Sequence, residues 1–139
     1  MRTILLSIKP EVYERIFSGD KKYEYRKRFP KDEVKAYLYV SKPIQEIKGV
    51  LYLGKRVLLE NGVSNSDKNP DMKEYIEGNK YRMDILGYQE TASVALEEMK
   101  AYDERFVIPQ GFYYIDDKKI GNYIVCMARE IGNVIENEF

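Results

Sequence analysis

The chain has 139 residues, 44% of them hydrophobic, and its 23 basic and 23 acidic side chains give a formal net charge of +0. That length predicts one domain, residues 1–139, with a core that needs no staples. One cysteine and no histidine exclude an internal disulfide, Ser-His-Asp and Cys-His mechanisms and the usual zinc ligand sets, so neither a metal nor a cofactor is expected.

The opening M-R-T-I-L-L-S-I-K-P is too short in apolar residues for a signal peptide. No stretch approaches the roughly 20 apolar residues of a membrane span. A cytoplasmic protein without a membrane partner is the expectation. Thr3 to Ile8 reads as a buried first strand, ended by Lys9-Pro10. Pro10 suits the first turn of a helix over 10–18, where Val12, Tyr13, Ile16 and Phe17 share one side.

Ser18 to Lys31 (S-G-D-K-K-Y-E-Y-R-K-R-F-P-K) holds Lys21, Lys22, Arg26, Lys27, Arg28 and Lys31 against Glu24 alone. In a neutral chain this basicity is concentrated. Gly19 suits a helix C-terminus and Pro30 an end to pairing. A strand over about 21–28 would place Tyr23, Tyr25 and Lys27 on one face and Lys22, Glu24, Arg26 and Arg28 on the other. The second face suits gripping an anion or orienting a polar ring; an ordinary solvated strand face has the same composition.

Val34 to Ser41 is apolar on both faces after Lys35 and reads as a central strand. Ile47 to Leu59 reads as one long strand, with Gly49 and Gly54 marking bulges or bends. Gly62 to Pro70 is turn-rich, and Asp71 to Glu77 has the pattern of a short helix. Tyr81 to Gln89 alternates as a strand, and Val94 to Tyr102 as an amphipathic helix with Glu97, Glu98, Asp103 and Glu104 as a solvated acidic cluster. A Pro-Gln-Gly turn then feeds Phe112, Tyr113 and Tyr114, which are expected to close the barrel end. Lys119 to Ile135 fits strand or helix. The recurrence of Ile120, Tyr123, Ile124, Met127 and Ile131 favours a terminal helix over 119–135, with Cys126 as an inert buried thiol. Short strands with internal glycines and inserted helices predict an α+β fold, a small and partly open β-barrel.

Residues 7–28 resemble the start of an ASCH domain, a branch of the PUA-like superfamily. The family signature G-x-K-x-x-E-x-R falls on Gly19, Lys21, Glu24 and Arg26, and P-Q-G-F-Y-Y at 109–114 resembles a segment near the end of such domains. The resemblance covers about residues 1–117. It implies a barrel with a lateral cleft walled by Lys21, Glu24 and Arg26, binding RNA or a nucleotide-like small molecule in RNA processing or in transcription or translation control. Tyr23, Tyr25 and Arg28 would assist, the tyrosines as stacking surfaces for unpaired bases.

The same resemblance carries an alternative, a small hydrolase acting on N4-acylated cytidine or a ribonuclease, with Lys21 and Glu24 as its catalytic residues. In the amidohydrolase-like members a threonine stands where this chain has Glu24, so the hydroxyl nucleophile is missing. Asp84 and Glu90 are the candidates for a second carboxylate. A Lys21–Glu24 partnership also requires the chain to curl immediately after Gly19, because a regular strand from residue 21 would set the two on opposite faces.

Overall fold

The computed structural model describes residues 1–59 and 78–139. The turn-rich connection 62–70 and the short helix expected at 71–77 lie outside the described residues. β1 (Arg2–Ile8) runs parallel to β3 (Val34–Val40), with Leu5 opposite Tyr37. Between them come α1 (Pro10–Phe17) and β2 (Tyr23–Arg26). Pro10 opens α1 where its missing N–H removes no helical bond, and Gly19 follows the helix at φ 85°. β4 (Glu46–Leu53) continues antiparallel to β3, and β5 (Val57–Leu58) is a two-residue strand.

β6 (Tyr81–Ala95) is the longest strand, at 15 residues. β2 and β5 flank its first residues, and β4 and β8 (Glu130–Glu136) flank the remainder. α2 (Leu96–Tyr102), β7 (Phe112–Tyr114) and α3 (Lys119–Met127) complete the chain, β7 pairing antiparallel with β1. The sheet order is β2-β6-β4-β3-β1-β7, with β5 and β8 also on β6. This mixed sheet curls into a half-barrel, the small α+β architecture expected from the sequence.

Both faces of the sheet are covered, so alternate residues of β1 and β3 enter two different cores. Ile4, Leu6, Leu38 and Val40 pack with Tyr13 and Ile16 of α1. Leu5, Tyr37 and Tyr39 pack with Met99 of α2 and with Ile120 and Ile124 of α3. Each such side chain contributes about 1.5–3 kcal/mol by leaving water. In the first core the Tyr13 and Tyr88 hydroxyls bond each other, and burial pushes both above the ordinary tyrosine range.

Four expectations change. The Ile47–Leu59 strand is broken at Gly54 into β4 and β5. Gly49 lies where β4 shifts register against both β3 and β6; a Cβ there would sit 2.4 Å from the Tyr88 ring, so the bulge and the missing side chain make room for that ring. β6 runs past Gln89 to Ala95, and α2 starts only at Leu96. The terminal helix stops at Met127, and 130–136 is a strand. β6 decides this last change, because Gly87, Tyr88, Gln89 and Thr91 pair with β8, and a buried strand needs its ladder bonds satisfied. Cys126 is exposed, since two residues beyond buried Ile124 lies about 200° round the helix.

Phe112, Tyr113 and Tyr114 are half-buried in the edge strand β7, with Phe112 and Tyr114 against the first core and Tyr113 against the second. Asp116, two residues beyond β7, is clamped to β1. Arg2 donates from Nε and Nη2 to Asp116 Oδ1, both at 3.1 Å, and the Thr3 N–H donates to Oδ2 at 2.9 Å. The Arg2 bonds first, and then the Thr3 amide, hold the Asp116 carboxyl below the usual carboxylate range.

A depressed folded pKa stabilises the protein above the unfolded value, about 3.9, and the effect is lost as pH falls through the lower folded value. The stability difference between wild type and Asp116→Asn should therefore shrink below about pH 4; a difference constant with pH would refute the clamp. A second outcome concerns α3, where a Cβ on Gly121 would lie 1.9 Å from the Ile115 carbonyl oxygen, while one on Gly54 would meet nothing closer than 3.7 Å. Gly121→Ala should lose about 3 kcal/mol, roughly 10 °C in Tm, and Gly54→Ala less than about 1 kcal/mol. Equal melting of the two variants would contradict the close approach.

Candidate functional site

Gly19 adopts a left-handed conformation that a glycine takes without strain. Its turn brings the Lys21 N–H back to the Arg15 carbonyl at 3.1 Å, and β2 begins only at Tyr23. The curl required for a Lys21–Glu24 partnership is therefore present. Lys21 Nζ lies 3.6 Å from Glu24 Oε1, with the lysine side chain 0% and the glutamate side chain 4% exposed.

The other carboxylate oxygen of Glu24 takes Arg26. Nε and Nη2 donate to Oε2 at 3.1 and 2.9 Å, and Nη2 also donates to the Ser7 carbonyl at 3.2 Å. One buried carboxylate thus stands between two cations, leaving one positive charge in excess. Burying such groups is tolerated only when they are paired. Arg26 keeps 23% of its side chain exposed, and that part faces a cleft of about 340 Å³ lined by Ser7, Ile8, Lys9, Val12, Glu24, Tyr25, Arg26 and Asn79. Ile8 and Val12 supply apolar wall, Lys9 and Arg26 positive charge, and Asn79 an amide that can both donate and accept.

The cleft draws on distant parts of the chain through Ser7. Its Oγ donates to the Pro109 carbonyl at 2.7 Å, and its N–H to the Gly111 carbonyl at 2.8 Å. The Pro-Gln-Gly turn is thereby fastened to the same residue whose carbonyl holds Arg26.

The other residues singled out by sequence are placed unevenly. Tyr25 is buried, 5% exposed, and forms part of the cleft wall. Tyr23 is half-buried, with the Arg82 guanidinium 4.9 Å from its ring centre and the Phe139 ring at 5.8 Å. Arg28 is exposed beyond the end of β2 and outside the cleft lining. Asp84 pairs with Tyr23 across the β2–β6 ladder, while Glu24 pairs with Met83, so Asp84 lies on the face away from Glu24. Glu90 accepts from the Asn133 N–H at 2.9 Å and borders a separate hollow with Tyr13, Phe17 and Lys48. Neither carboxylate joins Lys21.

Ser7, Ile8, Lys9, Val12 and Asn79 line the cleft without being candidate site residues in the sequence, where Val12 is expected only on the apolar face of α1. The available signal for Ser7 was a lone hydroxyl near the end of an apolar strand, followed by the Lys-Pro helix start. Asn79 follows the segment outside the described residues, and no local pattern marks it.

No family model and no curated protein matches the chain. Solved structures do. ASCH from Zymomonas mobilis superposes with a TM-score of 0.69 at 21% identity, covering 94% of this chain and 99% of that one. A mutant of the same protein gives 0.65 at 20% identity over 91% and 97%. The NMR structure of a Rhodopseudomonas palustris protein gives 0.56 at 13% identity over 92% and 93%. The chain has the ASCH-domain fold. Coverage of 94% also brings most of the segment beyond residue 117 into the shared fold.

The carboxylate's place between two cations sets an order of stabilities. Glu24→Ala leaves the Lys21 ammonium buried without its carboxylate and should cost about 3–5 kcal/mol in urea unfolding. Arg26→Ala removes a partly exposed partner and should cost clearly less. Equal losses would deny Glu24 its central position.

Proposed function

We propose that this protein binds RNA or a nucleotide-like small molecule in the cleft beside β2. The observation that carries the reading is Arg26, fixed by Glu24 and the Ser7 carbonyl while part of it faces a cleft that also presents Lys9 and Asn79. A guanidinium held in one geometry recognises phosphate or a base edge through a planar fork, at little entropic cost. Lys9 adds a point charge for a phosphate, Asn79 can read a base edge, and Ile8 and Val12 offer apolar contact to a ring. The resemblance of the Gly19–Arg26 signature to ASCH domains points the same way, and with it to work in RNA processing or in transcription or translation control.

The hydrolase alternative gains the closeness of Lys21 to Glu24, 3.6 Å. Against it, Lys21 is fully covered and is not among the cleft-lining residues, whereas a catalytic base must reach the proton it removes. In this reading Lys21 and Glu24 hold Arg26 in place and do not perform chemistry.

The test is calorimetric titration of wild type and Arg26→Ala with short single-stranded RNAs, nucleoside monophosphates and N4-acetylcytidine, with mass spectrometry of each mixture afterwards. Arg26→Ala should weaken binding about 10- to 100-fold, the worth of a charge-assisted hydrogen bond, and no product should form. Deacylated cytidine or cleaved RNA that vanishes in Glu24→Gln would replace the binding reading with the hydrolase.

A further inference from the structure

The positive surface does not end at the cleft. Lys27, Arg28 and Lys31 follow Arg26 and are exposed, as is Lys80, which stands one residue beyond the cleft-lining Asn79. Arg56 lies just ahead of β5. The backbone joins these segments. The Lys80 N–H donates to the Arg26 carbonyl at 3.1 Å, and the Arg56 N–H to the Lys31 carbonyl at 3.3 Å. Tyr81 pairs with Arg26 in β2 and with Leu58 in β5. Only Asp32, Glu33 and Asp84 bring carboxylates into residues 26–33, 55–58 and 80–84, so a neutral chain concentrates its cations at this rim.

The rim also has ordered aromatic–cation contacts. The Arg56 guanidinium carbon lies 4.2 Å from the centre of the Tyr81 ring, and its Nη1 donates to the Phe29 carbonyl at 2.8 Å. Lys80 Nζ lies 5.6 Å from the same ring centre. A guanidinium held from two sides presents its remaining donors at reduced entropic cost. Cations along a groove track phosphates, and rings and guanidinium planes take unpaired bases.

We infer that Lys27, Arg28, Lys31, Arg56 and Lys80 form a rim that binds the phosphate backbone of a single-stranded RNA, one nucleotide of which occupies the cleft. This rests on the reading of the cleft given above and narrows its ligand from a free nucleotide to a strand. A cleft of about 340 Å³ is at the small end of ligand sites and admits one nucleotide unit, not a duplex. The rim gives the neighbouring phosphates their counter-charge.

The experiment is fluorescence anisotropy of the full chain with a labelled mixed-sequence 12-nucleotide RNA between 50 and 300 mM salt, with nucleoside monophosphates and a hairpin duplex as competitors. The variants are Lys27→Ser/Arg28→Ser/Lys80→Ser, which changes exposed side chains only, and Arg26→Ala. The 12-mer should bind at least tenfold tighter than any monophosphate. The triple variant should lose that advantage, reduce the slope of log K against log salt by roughly 2, and leave monophosphate binding unchanged.

A 12-mer no tighter than a monophosphate, or a triple variant with unchanged affinity and slope, overturns the rim. So does binding to anionic phosphatidylserine vesicles through these residues in place of RNA. If the triple variant abolishes 12-mer binding while Arg26→Ala has no effect, the rim stands and the cleft reading falls. If wild type binds neither the 12-mer nor the monophosphates, both fall.

Discussion

One buried carboxylate, that of Glu24, sets the terms for the site. It stands between Lys21 at 3.6 Å and Arg26 at 2.9 Å, and burying it would be costly without both. The surrounding chain must therefore deliver two cations to one side of a strand. Arg26 comes from the same strand by its alternation. Lys21 comes from a turn, made possible by the positive φ of Gly19 and fastened by the Lys21 N–H on the Arg15 carbonyl. At the exposed end of this arrangement Arg26 meets the cleft already oriented, which is what the proposed recognition draws on.

The second constraint is β6. Among the described residues four strands pair with it, and its length brings β2, with the basic stretch, into the same sheet as the central β3 and β4. Pairing Arg26 with Tyr81 sets the cleft beside the cationic residues that flank β5 and β6. The acidic side chains of α2, Glu97 and Glu98, project from the helix that covers the second core. Among the described residues these cations and the acids of α2 thus lie on different elements, an arrangement that suits the proposed polyanionic ligand.

Ser7 joins the signature strand to the Pro-Gln-Gly turn. Its carbonyl holds Arg26, and its hydroxyl and N–H hold Pro109 and Gly111. Two stretches more than eighty residues apart in sequence thereby meet at one residue. Their coexistence carried the resemblance to ASCH domains, and the solved structures show that fold.

The sequence by itself determined the fold class, the existence of β1, α1, β2, β3, β4, β6 and α2, the start of α3, and the signature on Gly19, Lys21, Glu24 and Arg26. These features are local: alternation, a proline at a helix start, a glycine at its end and a run of like charge are visible within a few residues. Tertiary structure alone decided the rest. Residues 119–135 satisfy a helical spacing throughout, yet 130–136 becomes a strand because β6 has ladder bonds to satisfy there. Lys21 reaches Glu24 because the turn after Gly19 replaces the first residues of a regular strand. Cys126 faces outward because Ile120 and Ile124 fix which side of α3 meets the sheet. Ser7 and Asn79 line the cleft through contacts made across the fold, and such contacts leave no periodic trace in the chain that makes them.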